Sequence, residues 1–85
     1  MPEELIVVYA TDWCWDCLRA LRFLDDKHIP YRKVNIDRDR EGEEFVLRTN
    51  KGMRSVPTIV LPDGRILVEP SNQFLEEQLT LASLE

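Results

Sequence analysis

Residues 5–17 read LIVVYATDWCWDC, and the two patterns that meet in this segment decide the fold. Residues 5–9 form a short apolar run rich in β-branched side chains, which is typical of a strand buried on both faces of a sheet. From Cys14 onward leucines recur at helical spacing, and Pro30 stops a helix predicted over residues 14–27. A buried strand followed at once by a helix indicates the first half of a βαβ unit.

The same segment holds both cysteines of the chain, arranged as Cys-x-x-Cys. Residues three apart at a helix start lie on nearly the same face, so Cys14 and Cys17 can form a reversible disulfide. The unpaired backbone N–H groups of the opening turn stabilise negative charge, which makes Cys14 the predicted attacking thiolate. Cys17, one turn further along, is the predicted resolving thiol.

Length and charge limit the possible functions. The chain has 85 residues and a net charge of -5, so we expect a single domain over residues 1–85 and no nucleic-acid binding, which would need clustered Lys and Arg. Residues 1–4 are acidic where a secretory signal is basic, and the apolar run after them is too short to span a bilayer. We therefore expect a cytoplasmic protein that does not bind membranes. In a reducing compartment, a lone Cys-x-x-Cys indicates catalysis or metal binding.

The remainder of the chain continues the alternation of strands and helices. Residues 31–36 predict an edge strand that runs parallel to the first strand, with Val34 and Ile36 on one face. A second helix is predicted from Asp39, with Phe45, Val46 and Thr49 facing inward, and a left-handed cap at residues 50–52 is predicted to close it.

The last third of the chain predicts a hairpin and a final helix. Residues 58–61 and 66–68 are predicted strands, and Pro62-Asp63-Gly64 supplies the turn between them. Residues 70–72 then offer a helix start. The predicted inward stripe of this helix consists of Phe74, Leu75, Gln78, Leu79 and Ala82. The order βαβαββα predicts an α/β fold, with the reactive helix start at the carboxyl end of the first strand.

Several separated segments carry a resemblance to a known family. Residues 9–21, the run Arg54-Ser55-Val56-Pro57-Thr58, Asp63-Gly64 and Pro70-Ser71 resemble the glutaredoxin branch of the thioredoxin superfamily, in particular the mycoredoxin-type glutaredoxins. The resemblance covers nearly the whole chain. It implies a thioredoxin fold, which is a four-stranded mixed sheet flanked by three helices, with the hairpin strands antiparallel to the first strand.

The resemblance also implies an activity. Proteins of this kind are thiol-disulfide oxidoreductases that reduce protein disulfides or mixed disulfides, with a low-molecular-weight thiol, glutathione or mycothiol, as reductant. We accordingly expect no tightly bound cofactor, disulfide-containing proteins as partners, and a monomer. Glutathione-using members often carry Lys or Arg shortly before the first cysteine and Gly-Gly before the last helix. Here residues 10–12 are Ala-Thr-Asp and residues 68–72 are Val-Glu-Pro-Ser-Asn, a departure that weakens the case for glutathione.

The resemblance assigns candidate roles to residues outside the cysteine pair. Pro57 matches the family's cis-proline, and the backbone of Val56 would pair with an extended substrate. Trp13 and Trp15 flank Cys14, and we expect Trp15 to be exposed, so that the two indoles present an apolar docking face.

Three polar residues are further candidates for substrate binding. Arg54 lies on the loop that should approach Cys14, where it could hold an acidic substrate. Ser71 and Asn72 could receive the carboxylate of a thiol at the helix start, although helix capping is the simpler explanation.

Three alternatives remain open from the sequence. The chain could be an electron donor recycled by thioredoxin reductase, for example for ribonucleotide reductase. It could instead use both thiolates to carry a soft metal or an iron-sulfur cluster shared by two chains. A redox-inactive interaction domain, with Trp13 and Trp15 as its binding face, is the third alternative.

Overall fold

A computed structural model describes residues 5–82, and they form four strands and three helices in the predicted order. The expectation drawn from residues 1–4 lies outside this range. The elements are β1 (Ile6–Ala10), α1 (Trp15–Asp26), β2 (Tyr31–Asn35), α2 (Arg40–Thr49), β3 (Thr58–Val60), β4 (Ile66–Val68) and α3 (Asn72–Leu81). For most elements, the predicted and the observed ends differ by one or two residues. The ends of β4 are as predicted.

The four strands form one mixed sheet in the order β2-β1-β3-β4. β1 and β2 are parallel, which confirms that prediction, and β2 lies at an edge of the sheet. β3 is antiparallel to β1, with Tyr9 opposite Thr58. β4 is antiparallel to β3 and so runs in the same direction as β1. The expectation that both hairpin strands run antiparallel to β1 is therefore wrong for β4, because a hairpin reverses the chain.

The two faces of the sheet are covered unequally. On one face, the core joins side chains of α1 and α3 to those of the strands, among them Leu21, Leu24, Leu75 and Leu79 from the helices and Ile6, Val8, Ile59 and Leu67 from the strands. On the other face, α2 packs on β1, where Tyr9 stacks on Phe45 with ring centroids 4.7 Å apart. Because Val7 and Tyr9 are only half-buried there, the prediction of a strand buried on both faces is correct for one face alone.

Each helix begins directly after a side chain that accepts one of its backbone N–H groups. The capping atoms are Cys14 Sγ for α1, Asp39 Oδ1 for α2 and Ser71 Oγ for α3. Such caps satisfy donors that have no partner within the helix. The predicted left-handed cap after α2 is confirmed, since Lys51 and Gly52 have φ of 57° and 90°.

The inward faces of α2 and α3 are narrower than predicted. In α2 only Gly42 and Val46 are buried, while Phe45 and Thr49 are half-buried. In α3, Leu75 and Leu79 are buried, but Phe74 is 44% exposed, so its predicted inward position is wrong. Neighbouring residues on a helix point in directions about 100° apart, so Leu75 points into the core and Phe74 points away from it. None of the helices within residues 5–82 is long and apolar enough to span a membrane.

Candidate active site

Cys14 stands at the carboxyl edge of β1, where the chain turns into α1. Its extended backbone makes it the N-cap of that helix, and its sulfur accepts the backbone N–H of Cys17 at 3.1 Å. The side chain is only partly buried, so a substrate can reach the sulfur. The sulfur also lies among the unpaired N–H groups at the positively polarised start of α1.

Cys17 is a free thiol in a different environment. It has no exposed surface and belongs to the hydrophobic core. Burial, followed by its hydrogen bond with Cys14, raises the pKa of Cys17 to about 12, against a smaller opposing effect of the Thr11 main chain. The two cysteines therefore divide into one accessible sulfur and one protected thiol in the next turn of the same helix.

The segment before β3 closes the site from the opposite side. The peptide bond between Val56 and Pro57 is cis, which confirms the predicted conformation. The carbonyl oxygen of Val56 lies 3.7 Å from Cys14 Sγ. Because β3 is antiparallel to β1, the beginning of β3 and the end of β1 meet at one edge of the sheet, with Thr58 opposite Tyr9.

Two indole rings flank the accessible sulfur. Trp15 is 84% exposed, which confirms its predicted exposure, and Trp13 is 68% exposed. Trp13 nevertheless has a fixed partner, because its Nε1 donates to Asp37 Oδ2 at 2.9 Å. Exposed indoles beside a reactive sulfur are of the kind that marks an interaction site.

Arg54 lies on the rim of the site and is paired within the chain. Its Nη2 donates to Asp37 Oδ1 at 2.6 Å, and its Nε donates to Glu43 Oε2 at 2.9 Å. These hydrogen bonds, first the one that Asp37 accepts and then the one that Glu43 accepts, raise the pKa of Arg54. In turn Arg54, and then Trp13, lower the pKa of Asp37. A role for Arg54 in substrate binding stays a prediction.

Ser71 and Asn72 lie at the start of α3 and both have partners. Ser71 Oγ accepts the backbone N–H of Phe74 at 3.1 Å, as the capping interpretation predicts. Asn72 Oδ1 accepts from Arg19 Nη1 at 2.7 Å, and Arg19 Nη2 also reaches the carbonyl oxygen of Pro70 at 3.0 Å. Arg19 thereby ties the start of α3 to α1, one turn after Cys14.

Asp37 and Thr11 are residues of this region that were not predicted from the sequence. A signal for Asp37 was present: it follows β2, and the carboxyl ends of parallel strands share an edge, so it had to lie near the segment that leads to Cys14. Thr11 gave no such signal. It is buried, and its Oγ1 has no hydrogen-bond partner among the residues that the structure describes.

The described residues offer little for a metal ion. Within residues 5–82, no group of three or more His, Cys, Asp or Glu side chains is placed to hold one. Cys14 and Cys17 provide two sulfur ligands, whereas a closed tetrahedral site needs four, so a metal bound here would need ligands from a second molecule.

Sequence comparisons agree with this geometry. The family model described as Glutaredoxin matches residues 6–67. A protein of Mycobacterium tuberculosis described as a glutaredoxin is 38% identical over 79 residues, which cover 93% of this chain and 94% of the relative. Mycoredoxin 1 of Corynebacterium glutamicum is 38% identical over 65 residues, covering 76% of this chain and 80% of the relative.

Solved structures share the fold. A thioredoxin-like protein superimposes with a TM-score of 0.76 at 24% identity, over 98% of this chain and 100% of the other. A glutaredoxin from Archaeoglobus fulgidus superimposes with a TM-score of 0.69 at 23% identity, over 87% of this chain and 84% of the other. The chain thus has the thioredoxin fold and belongs to the glutaredoxin family of thiol-disulfide oxidoreductases, which act on disulfides and are reduced by thiols.

Proposed function

We propose that this chain reduces disulfides of proteins, and mixed disulfides between a protein and a small thiol, in the cytoplasm and with mycothiol as its reductant. Cys14 attacks and Cys17 resolves. The observation that carries the proposal is the unequal pair of thiols: an accessible Cys14 sulfur that accepts a helix N–H, and a buried Cys17 one turn further along the same helix.

The chemistry takes place in two exchanges. The Cys14 thiolate attacks one sulfur of the substrate, a bond forms between Cys14 and that sulfur, and the substrate's S–S bond breaks to release a thiolate. Cys17 then loses its proton and attacks Cys14 Sγ, which forms the Cys14–Cys17 disulfide and releases the second substrate thiol. Two molecules of the small thiol restore the dithiol and leave as their own disulfide.

The raised pKa of Cys17 is compatible with its part in the second exchange. Burial is the largest cause of that rise, but the hydrogen bond and the charge of Cys14 contribute as well. The Cys14 thiolate charge disappears once Cys14 is bonded to the substrate, while the opposing effect of the Thr11 main chain remains. Cys17 is therefore protected in the free protein and easier to ionise in the mixed disulfide.

Charge at the site favours an uncharged thiol over glutathione. Glutathione carries two carboxylates, for which cationic side chains are the usual partners. Here Arg54 pairs with Asp37 and Glu43, and Lys33 pairs with Asp12 at 2.8 Å. Mycothiol presents sugar hydroxyl groups and no carboxylate, so it does not compete with these ion pairs. The likeness to mycoredoxin 1 supports the same choice.

The test is turnover of a mixed disulfide on a model protein, with mycothiol and glutathione supplied in parallel, each with its own reductase. We expect turnover with mycothiol, roughly tenfold or more slower turnover with glutathione, and none in Cys14→Ser. The factor corresponds to the loss of one charge-assisted hydrogen bond.

Other results of the turnover assay would show which part of the proposal is wrong. Equal turnover with both thiols would contradict the choice of mycothiol alone. Turnover only with thioredoxin reductase would replace the small thiol by that enzyme as electron donor. No turnover with any reductant would contradict the oxidoreductase role that we propose for these two cysteines.

A further inference from the structure

One carboxylate joins the two segments that flank the reactive sulfur. Asp37 Oδ2 accepts from Trp13 Nε1 at 2.9 Å, and Asp37 Oδ1 accepts from Arg54 Nη2 at 2.6 Å. Glu43 in α2 extends the set by accepting from Arg54 Nε at 2.9 Å. Four side chains from four separate parts of the chain are thus linked at the rim of the site.

The position of Asp37 in the fold explains why it can bridge them. It lies just after β2, which runs parallel to β1, so it emerges at the same edge of the sheet as the segment that carries Trp13 and Cys14. Arg54 lies two residues before Val56, whose carbonyl oxygen is 3.7 Å from Cys14 Sγ. One carboxylate therefore holds a residue next to Cys14 on one side and the loop that faces Cys14 on the other.

This bridge limits the freedom of an exposed indole. Trp13 is 68% exposed, and a side chain this open normally samples several rotamers. The hydrogen bond to Asp37 selects one of them before any partner arrives, which reduces the entropy lost on binding. It also occupies the one polar atom of the indole, so the faces that Trp13 offers to a partner are apolar.

We propose that Asp37 is a positioning residue for thiol-disulfide exchange, which holds Trp13 as a fixed apolar wall for a disulfide-bearing polypeptide with an apolar side chain beside its cysteine. This inference rests on the proposed function. A small disulfide reaches Cys14 without touching the wall, so the contribution of Asp37 is confined to polypeptide substrates. Trp15, at 84% exposed, has no such restraint among the hydrogen bonds within residues 5–82.

The first measurement compares kinetic constants of Asp37→Ala with those of the unaltered chain. For a protein mixed disulfide with an apolar residue beside the cysteine, we expect KM to rise about two- to tenfold with kcat unchanged. With bis(2-hydroxyethyl) disulfide, both constants should stay within about twofold. Asp63→Ala is the matched control, because Asp63 also pairs with an arginine, Arg65, but lies in the β3–β4 turn at the far end of the sheet.

The second measurement asks whether Asp37 acts through Trp13. In a Trp13→Phe background, which keeps an aromatic ring but has no indole N–H, the effect of Asp37→Ala on KM should become smaller, because only the loss of the Arg54 pair remains. Asp37→Asn retains an oxygen acceptor for the indole and should restore part of the lost affinity. An undiminished effect of Asp37→Ala in the Trp13→Phe background would overturn the proposal.

The third measurement follows the indole directly. The chain has two tryptophans, so in Trp15→Phe the fluorescence comes from Trp13 alone. We expect its anisotropy to fall in Trp15→Phe/Asp37→Ala and to be unchanged in Trp15→Phe/Asp63→Ala. If the anisotropy did not change when Asp37 is replaced, the claim that Asp37 holds Trp13 in one position would be contradicted, even if the activity had changed. If the unaltered chain failed on the small disulfide too, the proposed function itself would fail, and this inference with it.

Discussion

At the scale of single residues, the two cysteines differ because one caps a helix and the other is in the core. Iodoacetamide at neutral pH should label Cys14 and leave Cys17 unlabelled in the folded chain. Burial raises the pKa of Cys17 to about 12, so little of it is thiolate at neutral pH, and it is also shielded from the reagent. Mass spectrometry of the peptides checks this. Labelling of Cys17 in folded Cys14→Ser at a rate close to that of the unfolded chain would contradict it.

Thr11 and Thr58 provide a second comparison at this scale, because both are buried but only one has partners. Thr58 Oγ1 donates to the carbonyl oxygen of Ser55 at 2.7 Å and accepts from Asn50 Nδ2 at 3.2 Å, whereas Thr11 Oγ1 has no hydrogen-bond partner within residues 5–82. Thr11→Val should leave the free energy of unfolding unchanged or raise it by up to about 1 kcal/mol.

Thr58→Val is the matched control for that substitution. It removes both hydrogen bonds of a buried hydroxyl, whose partners Ser55 and Asn50 are half-buried, and should lower the free energy of unfolding by about 1–3 kcal/mol. Urea denaturation of both variants checks the pair. A loss of stability in Thr11→Val as large as that in Thr58→Val would show that the Thr11 hydroxyl does have a partner in solution.

Residue chemistry explains which parts of the site could be predicted from the sequence. The roles proposed for Cys14 and Cys17 follow from spacing and helix position, and the exposure of Trp15 follows from its place in the first turn. The cis conformation at Pro57 came from the resemblance to a family, since proline alone does not specify it. The bridge through Asp37 depends on where three distant side chains meet, which no local pattern encodes.

At the scale of elements, the close packing of α2 on β2 depends on a glycine, Gly42, which has no side chain. A Cβ added to Gly42 would lie 2.6 Å from Cγ1 of Val34, a buried side chain of β2. Gly42→Ala gains about 1 kcal/mol of helix propensity, but overpacking costs about 1–3 kcal/mol, and the stiff β-branched neighbour cannot turn aside. We expect a net loss of stability, measured by chemical denaturation.

The controls for Gly42→Ala come from the same two elements. Glu44→Ala, at an exposed position of α2, should change the free energy of unfolding by less than about 0.5 kcal/mol. In a Val34→Ala background, which removes the opposing methyl group, Gly42→Ala should become neutral or stabilising. A gain of stability from Gly42→Ala in the unaltered chain would contradict the close packing of α2 on β2.

The elements themselves were largely predictable because period, caps and turn residues are local signals. All seven were predicted, and the helix starts proved to be the caps Cys14, Asp39 and Ser71. The strand order depends on non-local pairing, which local periodicity does not contain, whereas the direction of β4 relative to β3 was implied by the predicted hairpin. The prediction that Phe74 faces inward was wrong. The sequence shows an apolar residue next to Leu75, but it does not show whether the sheet lies beneath that residue.

At the scale of the whole molecule, surface carboxylates make the stability of the fold depend on pH in the acid range. Hydrogen bonds lower the pKa values of Asp12, Asp37 and Asp63 below the ordinary 3.8, with Lys33, Arg54 and the Arg65 backbone as the respective main causes. The unfolded chain therefore binds protons at a higher pH than the folded chain does. The stabilisation is complete above the unfolded pKa and is lost as pH falls through the folded values.

The prediction is a urea midpoint that decreases between about pH 5 and about pH 3. The double variant Asp12→Asn/Asp63→Asn, in which two of the three carboxylates are absent, should show a shallower decrease over the same range. A midpoint that stays constant or rises on acidification would contradict the direction of these shifts.

The central claim for the whole molecule is that Cys14 forms the bond to the substrate and Cys17 releases it. The most direct measurement is intact mass after each variant is mixed with a disulfide-bonded protein substrate. Cys17→Ser should accumulate a mixed disulfide through Cys14, Cys14→Ser should form none, and the unaltered chain should end as the internal Cys14–Cys17 disulfide. An adduct on Cys17 in Cys14→Ser, or no adduct in Cys17→Ser, would contradict this assignment.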